Sequence, residues 1–289
     1  MRSSNPVFSR RGIGRNNGQA GFNAGQQPQA GNPYAANPYA QQPTTNPYAQ
    51  QGQMPGAPSP QGAPPAAPYA GRMTMDDVVA RTAMTVGTVV VTAAVAWFTD
   101  MSLGLAIGAA LVAMVLAFTQ AFKRKAVPAL ILGYAAFEGL FLGAISNYVD
   151  NYIADGAAMQ AVLGTMAVFT AVLVMYKTRI IRVTQRFYRF VLAAAIGFVL
   201  LMGVNLLFAV FGGGDGLGFR SGGMGILFGV IGIVLGACFL ALDFKQVEDG
   251  IAYGAPREES WLAAFGLTLT LVWIYLEFLR LIAILQSDG

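Results

Sequence analysis

Long apolar runs dominate the chain, at about residues 79–98, 101–122, 127–148, 157–176, 188–211, 223–244 and 261–286. Polar residues do not recur within them at the helical period, so none has the solvated face that a soluble helix keeps. Each is long enough, at about 1.5 Å per residue, to cross a hydrocarbon core of roughly 30 Å. The pattern predicts an all-α fold, a seven-transmembrane helix bundle over residues 73–289. Thr99 and Asp100 alone separate the first two runs, which predicts a tight helical hairpin. Thr74 followed three residues later by Asp77 has the spacing of a capping box and predicts a helix start there.

Residues 1–72 break this pattern. They are rich in Gln, Asn, Pro, Ala and Gly, and Asn-Pro-Tyr-Ala recurs at 32–35, 37–40 and 46–49. Such a stretch buries too little apolar surface to offset its ordering entropy, so it is expected to be a disordered tail. Arg2, Arg10, Arg11 and Arg15 are not followed by the apolar core of a signal peptide. The tail reads as a solvated tether, or as weak partner contacts through its tyrosines and prolines with the arginines on anionic lipid.

Composition sharpens the picture. The chain is 55% hydrophobic and 11% charged, against roughly 25% charged in soluble domains. The charges are sorted between alternate loops. Arg72 and Arg81 flank the start of the first span. Lys123, Arg124 and Lys125 fill the 2–3 loop, Lys177, Arg179, Arg182, Arg186 and Arg189 the 4–5 loop, and Lys245 and Arg257 the 6–7 loop. The other loops carry Asp100, then Asp150 and Asp155, then Asp215 with Arg220. This bias predicts a cytoplasmic N-terminus and an outside C-terminus in a cell membrane. Because the cations are sorted by side, the net charge of +4 reflects a lipid bilayer as partner and not nucleic acid.

Several chemistries are excluded. There is no histidine, which removes zinc–histidine sites, serine–histidine hydrolysis and histidine pH switches. No metal site, cofactor or catalytic group is expected, so the chain is not read as an enzyme. Span seven has no lysine for a retinal Schiff base. Cys238 stands alone and reads as a packing residue. Gly104-x-x-x-Gly108, Gly139-x-x-x-Gly143, Gly225-x-x-x-Gly229 and Gly232-x-x-x-Gly236 are spacings that let helix backbones approach. Gly214-x-Gly216-x-Gly218 has the look of a phosphate loop but lacks a Lys-Ser/Thr partner, and reads as a flexible loop.

Ionisable groups at membrane depth are costly and point to function. Glu138 lies near the middle of span three with no basic residue within a turn. It reads equally as a hydrogen-bonded structural acid or as part of an ion path. Glu277 has Arg280 on the same helix face, so a local ion pair could satisfy it. Asp243 falls where span six is expected to meet the cytoplasm, so plain solvation is its alternative. Asn205 in span five is the clearest neutral polar companion and is expected to make an interhelical hydrogen bond.

Ala241-Leu242-Asp243-Phe244-Lys245-Gln246-Val247 and Ile274-Tyr275-Leu276-Glu277-Phe278-Leu279-Arg280-Leu281 resemble the last two helices of the Bax inhibitor family. Phe137-Glu138-Gly139, continued by Leu142-Gly143, is similar to that family's third helix, and Lys123 to Val127 to its basic 2–3 turn. The resemblance covers about residues 75–286. It implies a calcium-permeable, pH-sensitive leak in a membrane such as the bacterial plasma membrane, gated by Asp243 and Glu277. Two carboxylates sharing a proton in a low-dielectric site titrate as a coupled pair, and calcium, the expected permeant ion, favours oxygen ligands. Bacterial members carry aspartate where this chain has Glu277, and an arginine at the end of span two where Phe122 or Lys123 falls here. Depth also matters: Glu277 lies about 24 Å along its helix from Trp261, so contact with Asp243 requires span six or span seven to dip. The alternative is a non-conducting regulator that binds another membrane protein, such as a protease or stress-signalling component.

Overall fold

The computed structural model describes residues 71–123, 125–212, 216–219 and 221–287. The helices are α1 (Met75–Phe98), α2 (Leu103–Phe122), α3 (Pro128–Tyr152), α4 (Ala157–Lys177), α5 (Gln185–Gly212), α6 (Gly222–Ala252) and α7 (Ser260–Ser287). All seven are long and apolar enough to span a membrane, and the protein is a multipass membrane protein. The disordered-tail expectation for 1–70, the residues Arg124, Asp215 and Arg220, and Gly214 of the glycine loop lie outside the described residues.

Helix ends follow local chemistry. The Thr74 hydroxyl accepts from the Asp77 N–H at 3.2 Å and donates to the Asp77 carboxylate at 2.8 Å. The helix starts where predicted, with the return bond running from the hydroxyl and not from the Thr74 N–H of a capping box. Gln120, 1% exposed, closes the 2–3 turn: its amide donates to the Lys125 carbonyl at 3.1 Å, and its Oε1 accepts from the Val127 N–H at 3.0 Å. Pro128 then opens α3, where its missing N–H costs nothing. Gly71 and Arg72, placed in the tail on sequence grounds, belong with the bundle. The Gly71 carbonyl accepts from the Arg257 N–H at 2.8 Å, and the Met73 N–H donates to the Ala255 carbonyl at 2.8 Å.

Packing departs from the sequence reading in two places. α1 and α2 do not form a hairpin of mutually packed helices; each packs along α3. A Cβ at Gly139 would run into the Val89 carbonyl and the Thr92 hydroxyl, and one at Gly143 into the Ala93 carbonyl. The α1 backbone therefore needs α3, not α2, as its close neighbour. Gly104 and Gly108, by contrast, face open space and bring no backbone near.

α6 also continues to Ala252, past the predicted end at 244. Apolarity fades after Phe244, but Lys245 pairs with Asp249 at 2.7 Å and Glu248 at 3.6 Å along the helix, while Val247 and Ile251 remain in a core cluster. Those contacts sustain the helix beyond the apolar stretch. α7 is the hub, packing against α1, α3, α4 and α6; α2 and α5 are peripheral.

Candidate functional site

α7 meets its neighbours through polar side chains set in an apolar helix. At the basic end, Arg81 of α1 donates to the Ser260 hydroxyl and the Arg257 carbonyl and lies over the Trp261 ring at 5.3 Å. Deeper in, the Thr85 and Thr268 hydroxyls are 2.9 Å apart and buried. Towards the acidic end, the Ser146 and Tyr275 hydroxyls are 2.6 Å apart. Between these contacts lie the acids.

Asp243 is not at the end of its helix, as the apolar boundary suggested. Because α6 continues, the carboxylate is part-buried against α7, where it accepts from the Thr270 hydroxyl at 2.6 Å. A Cβ on Gly266 would sit 3.4 Å from its Oδ1. Glu277, 8% exposed, accepts from Arg280 of its own helix, as the spacing suggested. Its carboxylate lies against Gly232 of α6, where any side chain would collide with it. The Nε and Nη1 of Arg280 are buried and have no acceptor among the described residues.

The register of α6 on α7 decides whether the two acids meet. The helices run antiparallel, with Gly229 against Leu281, Gly232 against Glu277, Gly236 against Ile274 and Asp243 against Gly266. The Trp273 indole donates to the Gly232 carbonyl at 3.1 Å within this seam. From Gly232 to Asp243 is about 16 Å along α6. The acids therefore share one seam and are not in contact. Neither the longer α6 nor the start of α7 at Ser260 closes that gap.

Glu138 occupies the stripe of α3 that also carries Ile131, Tyr134, Ala135 and Leu142. Phe265 and Val272 of α7 cluster with this stripe, so Glu138 is half-buried on the side opposite Asp243. It has no hydrogen bond or ion pair among the described residues. Asn205, 3% exposed, does not bridge helices. Its Oδ1 accepts from the N–H groups of Leu217 at 2.9 Å and Phe219 at 3.3 Å, fastening the α5–α6 loop. Gly216, at φ +69°, packs so tightly on the Asn205 carbonyl that only glycine fits. Asn205 and Glu277 line one cavity of about 680 Å³ between α5 and α7.

Sequence reasoning missed Thr270, whose hydroxyl is the one bonded to Asp243 among the described residues. Its signal was only a threonine in an apolar run. No group of three or more Cys, Asp or Glu residues that could hold a metal ion occurs among the described residues. The profile of a family described as Bax inhibitor 1 like matches residues 5–287, taking in all seven helices and most of the N-terminal stretch. No curated protein matches the chain.

Proposed function

The chain belongs to the Bax inhibitor 1 like family, and on that premise we propose that it is a calcium-permeable leak in the cell membrane, opened by protonation of Asp243 and Glu277. The observation that carries this reading is that both acids lie on the single α6–α7 seam, each fastened by one partner, Thr270 or Arg280. Ionised Asp243 holds the Thr270 hydroxyl, and with it α6 to α7; a protonated carboxyl is a weaker acceptor. Protonation of Glu277 removes the ionised partner of the Arg280 guanidinium, which lies beside Gly229 of α6. Asp243–Thr270 is then the latch across the seam, while Glu277–Arg280 is internal to α7 and its protonation leaves a net positive charge against α6. Acid loosens the seam at the first and charges it at the second. Carboxylate, hydroxyl and carbonyl oxygens along it suit a hard divalent cation. The basic loops face the cytoplasm in this reading, and no enzymatic step is involved.

Purified protein in liposomes loaded with a calcium indicator tests the proposal. Acidification is expected to raise calcium flux. Because the acids are too far apart to share one proton, Asp243→Asn and Glu277→Gln are each expected to remove one part of the pH response, and the double variant all of it. Loss of the whole response in either single variant would show a coupled pair instead. No flux at any pH would sink the leak and leave the non-conducting regulator, for which a pull-down that depends on residues 1–70 is the matching measurement.

A further inference from the structure

The basic α4–α5 loop does more than mark a membrane side. It walls a polar cavity of about 540 Å³ together with the far end of α6. Lys177, Arg179, Arg182 and Lys245 line it, with Glu248 and Tyr176. The one lining carboxylate is already engaged, by the Tyr176 hydroxyl and by Lys245 at 3.6 Å. Lys177, Arg179 and Arg182 have no acid partner among the described residues. The cavity is left strongly positive.

The loop is also held in place. The N–H groups of Ile180 and Ile181 both donate to the Met175 carbonyl, at 3.0 and 3.2 Å. Ile181 and Val183 pack into the core cluster of Leu240, Val247 and Leu267. Arg179 sits at φ +59°, a left-handed conformation that a non-glycine residue adopts at a cost. The loop's anchors are apolar and inward, so its guanidiniums are left to the cavity. A topological marker needs only charge on the right side; it needs neither a walled cavity nor a strained arginine.

We propose that this cavity binds a phosphate group, carried either by an anionic lipid head group or by a free anion from the adjoining water. Guanidinium groups match phosphate oxygens in pairs. The cavity also lies between the end of α4 at Lys177 and the start of α5 at Gln185, where a bilayer spanned by both helices would place its phosphates.

Native mass spectrometry of the full chain in neutral detergent tests this, with phosphatidylglycerol, phosphatidylcholine and inorganic phosphate as probes. Phosphatidylglycerol is expected to be retained in preference to phosphatidylcholine. Arg179→Ala/Arg182→Ala is expected to weaken its retention about thirtyfold. Arg186→Ala/Arg189→Ala, which removes equal charge from residues outside the cavity, is expected to leave it unchanged. Glu248→Gln is expected to strengthen it about fivefold, a gain that misfolding cannot mimic. The same pattern with inorganic phosphate and not the lipid assigns a free anion as the source. Equal weakening by both arginine pairs, an indifferent Glu248→Gln, or retention of neither phosphate probe overturns the proposal.

Discussion

Glu277 and Arg280 neutralise each other in a setting where either alone would be a buried charge. With Glu277 8% exposed, Arg280→Gln strands its carboxylate and is expected to cost about 3–5 kcal/mol. Glu277→Gln/Arg280→Gln should recover most of that loss, because the guanidinium's Nε and Nη1 are unsatisfied even in the pair. Unfolding in mixed detergent micelles would measure the cycle; a double variant no better than Arg280→Gln would contradict it. Asn205 has a different task. Asn205→Ala removes the acceptor for two loop N–H groups and is expected to cost about 1–3 kcal/mol. Limited proteolysis should then cut near residues 216–219, whereas Asn205→Asp, which keeps the acceptor, should resist.

Helix pairs show which small residues matter. Gly143→Val would drive a branched side chain into the Ala93 backbone. It should separate α1 from α3 and lower stability by at least about 1–3 kcal/mol, the usual cost of overpacking. Gly104→Ala meets nothing within 4 Å and should raise helix stability by up to about 1 kcal/mol. A melting comparison in one detergent checks both, and equal effects would refute the assignment of neighbours. The two glycine pairs are indistinguishable as sequence, because spacing encodes a smooth face and not what lies against it. Spans were legible because a membrane imposes continuous apolarity. The true end of α6 was not, because Lys245, Glu248 and Asp249 satisfy one another along a helix whose apolar stretch has finished. Glu277 with Arg280 could be read from spacing, being local. Asp243 with Thr270 could not, since it depends on how α6 slides against α7.

At the scale of the whole molecule, α7 is the common wall. Thr85, Ser146 and Asp243, from three different helices, all reach side chains on it. α5 stands apart, touching mainly α6 and leaving a cavity beside Glu277. The seam proposed to open is therefore bordered on one side by the least attached helix, which can move without unpacking the hub. A disulfide-free crosslink between α5 and α7, for example a bifunctional thiol reagent joining Met202→Cys to Leu276→Cys in a Cys238→Ala background, should suppress acid-triggered calcium flux. Undiminished flux after complete crosslinking would show that α5 does not take part.

The central place of α7 also bears on how the protein is made. The ribosome releases this helix after the other six, so during synthesis the hydroxyls of Thr85 and Ser146 and the carboxylate of Asp243 wait in lipid without the partners they will finally use. The first six helices are therefore expected to stay incompletely packed until Ser260–Ser287 slides in among them. A chain stopped before Ser260 should be rapidly degraded in cells, and supplying α7 as a separate peptide should rescue it.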